Sequence, residues 1–179
     1  MLGKPQIKLS ENPNKTILWV IIFGFILRVV FHLFLAKFYF NRENIYVSGD
    51  TYSWVDCIVN LIDHGTYKIS VDHDYSYFAR MPGYSFFIGI FYLLFGKNFD
   101  LIFPAIAWTQ ILFDTAAIFL VYRICKWTFK DNYTPLIAAF LYATYPFIIV
   151  WTPVAYSESI SIFFMLWSLY YFRSKSRYK

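Results

Sequence analysis

Charge is what this chain lacks most: charged residues are 15% of it, while hydrophobic residues are 59% and aromatics 24%. So little charge leaves no room for a soluble second domain. Cysteine is scarce too. The two present, Cys57 and Cys125, fall on opposite sides of the membrane in the topology below, so no disulfide is expected between them. Cys pairs and helically spaced His pairs are missing. The run Asp72-His73-Asp74, with His64 nearby, alternates on an extended chain so that neighbours point apart, and no metal or other cofactor is expected. The glycines form no phosphate-cradling loop, so a soluble nucleotide donor is not indicated. Repeats, low-complexity tracts and lipidation signals are absent. The net charge of +5 sits at the ends of apolar runs. It reads as membrane topology and not as affinity for nucleic acid.

Apolar runs are what the chain has in plenty. Several approach 20 residues, the length that crosses a bilayer core of about 30 Å. The basic stretch 1–16 precedes the first, from about Ile17 to Phe38. That run is too long for a cleaved signal and no small-residue cleavage site follows, so it reads as a retained span. The outer loop, 41–100, comes next. Thr51 to His64 places Tyr52, Val55, Val59 and Ile62 on one helical side and Asp56, Asn60 and Asp63 on another, which predicts an interfacial helix ended by Gly65. Thr66 to Phe78 reads as irregular. Met81 to Gly96 is apolar, but its fourteen or so residues reach only about 21 Å, so a re-entrant or surface helix is expected. Leu101 to Arg123 and Thr134 to Thr152 are long enough to span, the latter with a kink at Pro146. Ser159 to Phe172 reads as a final span.

Basic clusters set the orientation. Lys4, Lys8 and Lys15 precede the first span; Arg123, Lys126 and Lys130 separate the middle two; Arg173, Lys175, Arg177 and Lys179 close the chain. Placing all three inside gives four crossings with both termini cytoplasmic and a basic tail, 174–179. The predicted fold is thus all-α: a polytopic transmembrane bundle, residues 17–173, in the cell membrane.

Arg28 and Asp114 fall at similar depth in antiparallel spans, which predicts an ion pair, with His32 meeting Gln110 above it. Intramembrane charges are functional candidates by default; a structural clamp is the plainer reading.

Six of the eleven acidic residues crowd the stretch from Asn41 to Gly83: Glu43, Asp50, Asp56, Asp63, Asp72 and Asp74. Asp50 opens the interfacial helix, either as its N-cap or as a base for an acceptor hydroxyl. Arg80 precedes Met81-Pro82-Gly83-Tyr84, and its planar fork suits a phosphate, or else anchors at lipid headgroups. Lys68 and Arg42 are weaker candidates for that role. Glu158 begins the last span, complementing its dipole or facing the same outer space as Asp50. Two carboxylates and one guanidinium around a membrane-level cavity make a plausible transfer site.

These residues carry a resemblance. Ser48-Gly49-Asp50-Thr51-Tyr52, Leu61 to Tyr67, Arg80 to Tyr84, Phe95-Gly96, Gln110 to Asp114, Tyr145-Pro146 and Ser157-Glu158 resemble, in order and spacing, the GT-C fold membrane glycosyltransferases. The likeness is greatest to the protein-mannosyltransferase and aminoarabinose-transferase superfamily, which uses polyprenyl-phosphate sugars. It implies an inverting transfer from a polyprenyl-phosphate donor at the outer face. Asp50 would be the base, Glu158 the second catalytic carboxylate, and Arg80, with Tyr52 and Tyr84, would bind substrate. Many relatives follow the first-loop Asp with Glu; here Thr51 follows. Relatives are also longer, so the chain reads as the N-terminal part of such an enzyme, with a second polypeptide as one way to complete it. The alternatives are a non-catalytic membrane scaffold, or a small transporter working through Arg28, His32 and Asp114.

Overall fold

A computed structural model describes residues 13–72 and 76–175. Lys4, Lys8, His73, Asp74, Arg177 and Lys179 lie outside the described residues. The protein is all-α. Helix α1 is Pro13–Val30; a π-helical turn, Phe31–Leu35, leads into α2, Ala36–Phe40. Then come α3 (Thr51–His64), α4 (Pro82–Phe95), α5 (Phe99–Thr128), α6 (Tyr133–Thr144), α7 (Pro146–Trp151) and α8 (Ser157–Lys175).

Local chemistry sets these boundaries. Gly65, at φ 72°, ends α3, and its N–H and that of Thr66 close back onto the Leu61 and Asn60 carbonyls. Pro82 starts α4, where the missing N–H costs nothing. The Asn98 side chain accepts from the Asp100 N–H to open α5. The expected kink at Pro146 is a full interruption instead. Tyr145, driven extended by the following proline, separates α6 from α7.

The segment Asn14–Phe40 and helix α5, 30 residues long, are long and apolar enough to cross a membrane; α4 and α6 are shorter apolar helices. The segment 82–95 is the fourteen-residue helix its spacing predicted.

Contacts along the helices give their directions. Ile17 packs with Ile118 and Tyr122, while His32 meets Trp108 at the other end, so α1 and α5 are antiparallel. Helix α6 lies beside both through Ala139 and Ala143. Helix α8 runs along α5: Phe113 meets Phe163 with ring centroids at 4.7 Å, and Trp127 stacks on Tyr170 at 4.7 Å. Helices α3 and α4 pair with each other and lean on the first half of α5. Val55, Ile58, Tyr84, Ile88, Tyr92, Ile102, Phe103 and Ile106 form that core. A Cβ on Gly89 would sit 2.7 Å from Ile58 Cγ1, so the glycine is what lets α3 and α4 approach so closely.

Inside the bundle Arg28 and Asp114 are each 1% exposed. Arg28 Nε donates to the Asp114 carboxylate. Arg28 Nη1 donates to the Gly24 and Ala143 carbonyls at 2.8 and 3.1 Å, and the Tyr142 hydroxyl donates to Asp114 Oδ1 at 2.6 Å. The His32–Gln110 contact does not form. His32 packs against the Trp108 and Tyr46 rings, and Gln110 is held elsewhere, as described next.

Candidate active site

The stretch around α3 and α4 and the turn 152–157 gather at one end of the bundle. Two contacts hold them together: Ala155 N–H donates to the Tyr46 carbonyl at 2.8 Å, and Thr51 Oγ1 lies 3.2 Å from the Ala155 carbonyl, sharing its one proton between that carbonyl and the nearer one of Ser48. The Trp127–Tyr170 stack marks the opposite end.

Gly49 makes the turn into α3 at φ 44°, and a side chain there would strike the Tyr156 hydroxyl. Asp50 occupies the N-cap position, yet its side chain makes no capping hydrogen bond. Thr51 stabilises the turn instead, accepting from the Ser48 N–H at 3.1 Å and donating to the Ser48 carbonyl at 2.9 Å. The Asp50 carboxylate is thereby left to point outward. Arg80 Nη2 meets Asp50 Oδ1 at 2.5 Å.

Arg80 is held from several sides. Its Nε donates to Ser53 Oγ at 2.6 Å, its guanidinium lies 5.3 Å from the Trp54 ring centroid, and its carbonyl accepts from the Tyr67 hydroxyl at 3.1 Å. Ser53 Oγ in turn donates to the Asp50 carbonyl. Ser53 and Trp54 escaped the sequence reading as site residues. Their signal was available: positions three and four after Asp50 share its helix face.

Tyr84 is 5% exposed and forms wall, not surface. Its hydroxyl donates to Gln110 Oε1 at 2.6 Å, and Gln110 Nε2 donates to the Thr152 and Val154 carbonyls at 2.7 and 2.8 Å. This chain fixes the 152–157 turn against α4 and α5. The Tyr84 hydroxyl is thus engaged by Gln110, while its ring lines the apolar groove described below. Tyr52 is exposed and lines a separate small hollow with Asn44, Asp56 and Asp100. Burial pushes the Asp56 carboxyl upward there. Lys68 is 5% exposed and lies over the Tyr77 ring; Arg42 lies over the Phe40 ring.

Glu158 stands exposed in the first turn of α8, at the same end as Asp50 and Arg80. It accepts from Ser157 Oγ at 3.3 Å and touches neither Asp50 nor Arg80. Among the described residues no group of three or more His, Cys, Asp or Glu gathers as a metal site.

An apolar groove of about 750 Å³ opens beside this polar cluster. Ile58, Leu61 and Ile62 of α3, Gly83, Tyr84, Phe87 and Ile90 of α4, and Ser157, Ile160 and Phe164 of α8 line it. Gly83 and Ser157 place one end of it where α4 and α8 begin.

An all-helical bundle with two helices long and apolar enough to cross a membrane, and an apolar groove beside a polar cluster, has the build of an integral membrane protein. The profile of the dolichyl-phosphate-mannose-protein mannosyltransferase family matches residues 79–175, and the chain belongs to that family. It is a membrane protein with the character of a GT-C glycosyltransferase. The match contains Arg80, Tyr84, Asp114 and Glu158; Asp50 lies ahead of it. Comparisons with curated proteins and with solved structures returned no match.

Proposed function

We propose that this protein serves transfer of a sugar from a polyprenyl-phosphate donor to an acceptor hydroxyl at the outer membrane face, with inversion. The observation that carries the proposal is the Asp50–Arg80 pair, a carboxylate and a guanidinium 2.5 Å apart, beside an apolar groove of about 750 Å³. The chain of the donor lies in the groove. Its phosphate draws the Arg80 fork, which meets phosphate oxygens two at a time. Arrival of the phosphate loosens the fork from Asp50. The freed carboxylate takes the proton of the acceptor hydroxyl as that oxygen bonds to the anomeric carbon. The bond from that carbon to the phosphate oxygen breaks, its electron pair leaving with the lipid phosphate, whose added charge Arg80 stabilises. A single displacement from the opposite face inverts the carbon. Glu158 is the second carboxylate facing this space. The same proposal takes α1–α2, α5, α6–α7 and α8 as four crossings, with both termini cytoplasmic.

The test is transfer from a polyprenyl-phosphate sugar by the purified protein, with carrier binding measured in parallel. Asp50→Asn should lower transfer by about 10²–10⁴, the usual worth of a general base, while still binding carrier. Arg80→Met should lose carrier binding. An Asp50→Asn protein that binds carrier and transfers normally would remove the base from the scheme.

A further inference from the structure

We infer that a second hollow at this end, between α7 and α8, is a carbohydrate-binding site that takes the acceptor as a sugar ring. The inference rests on the proposed function. The hollow has a volume of about 280 Å³ and is lined by Phe147, Trp151, Tyr156, Glu158 and Ser159. Trp151 and Tyr156 stack on one another, 28° apart with centroids at 5.6 Å, and give the hollow a rigid aromatic wall. Phe147 forms a side wall, its ring centroid 6.3 Å from that of Trp151. Glu158 supplies a carboxylate at the rim.

This is the chemistry that recognises a pyranose. The C–H face of the ring lies on an aromatic surface, and its hydroxyls donate to a carboxylate, which accepts at two oxygens. A lipid tail would have no use for Glu158. A peptide would need backbone partners along its length, and the walls are side-chain rings. An ammonium group prefers several aromatic faces turned inward around it, whereas the two main rings here turn a face to each other.

Position completes the case. Ser157 lines the apolar groove, while Glu158 and Ser159 line the hollow, so the first turn of α8 divides the two. The Tyr156 hydroxyl lies against Gly49, the residue before Asp50. A sugar ring held at the Trp151–Tyr156 stack therefore borders the turn that carries the carboxylate.

The experiment is saturation-transfer NMR on the full chain in lipid nanodiscs, with methyl α-mannopyranoside as probe. Carrier binding is followed on the same samples by native mass spectrometry with polyprenyl phosphate. Ring C–H protons should receive saturation, and Trp151→Ala and the conservative Glu158→Gln should each bind at least about tenfold more weakly with helical content unchanged. The inference is overturned if the glycoside does not bind, if both variants bind it as well as the parent, or if a threonine peptide or tetramethylammonium competes it out of the hollow. Loss of glycoside binding with Arg80-dependent carrier binding intact sinks this inference alone. Glycoside binding through Trp151 and Glu158 without any carrier binding keeps the hollow and sinks the donor reading.

Discussion

Arg28 shows what a buried charge demands of its neighbours. Its guanidinium meets Asp114, Gly24 and Ala143, and Tyr142 holds the far oxygen of Asp114. Removing one partner strands the other in an apolar interior, so Arg28→Leu or Asp114→Leu alone should cost about 3–5 kcal/mol. Replacing both with leucine should cost less than either single change, because no ion is left behind. Thermal unfolding in detergent checks this, and a double variant no better than the singles would show that the two do not act as a unit. Exchanging the charges is a poorer remedy. A carboxylate at position 28 would face the Gly24 and Ala143 carbonyls, acceptors with no proton to offer it. The pair was legible in the sequence because two lone charges sat at matching depth. The fate of Gln110 was not, because depth carries no information about direction. Tyr84, from a helix outside that two-span reckoning, takes the amide instead.

Helices α3 and α4 are joined at their far ends by Asp63. Its carboxylate accepts from Lys97 Nζ at 2.6 Å and from the Tyr92 hydroxyl at 3.0 Å. The Lys97 hydrogen bond holds the Asp63 carboxyl below its ordinary range, partial burial opposing this and Tyr92 adding to it; the same bond raises Lys97. A carboxyl depressed in the folded state stabilises at neutral pH, and that contribution is lost as pH falls through the depressed value. Hydrogen-exchange protection of α3 and α4 should therefore weaken as pH drops below the ordinary Asp range, near about 3.9. Asp63→Asn should flatten that acid dependence; an unchanged profile would show that the clamp contributes nothing. These two helices were largely readable from Gly65, Pro82 and Gly96, whose backbone habits punctuate the chain. The break at Tyr145 was only half readable. Proline announces an interruption, but whether a helix bends or stops depends on what the freed groups find nearby.

Across the whole molecule, four alternating helical segments put the Asp50–Arg80 end opposite the Lys126–Asp131 connection. With Cys57 and Cys125 replaced by serine, Asn44→Cys should react with an impermeant maleimide on intact cells. Lys130→Cys should react only after permeabilisation, and the reverse pattern would invert the proposed topology. Local pattern and charge made the segments legible. The division of the Asp50–Arg80 end into an apolar groove and an aromatic hollow was not, since it arises where α3, α4, α7 and α8 converge from distant parts of the chain.

The wide turn at Phe31–Leu35 works as a shim. It holds one residue more than regular winding needs, and Leu33, Phe34 and Leu35 face outward at 54%, 72% and 49% exposure. In-frame loss of any one of these three should let the turn relax to ordinary α geometry, with Arg28 below and Ala36 above keeping their bearings. The same loss at Ile21 or Ile22 would swing Arg28 about 100° away from Asp114. Melting temperatures of the shortened proteins should separate the two groups cleanly, the first near the parent and the second far below it.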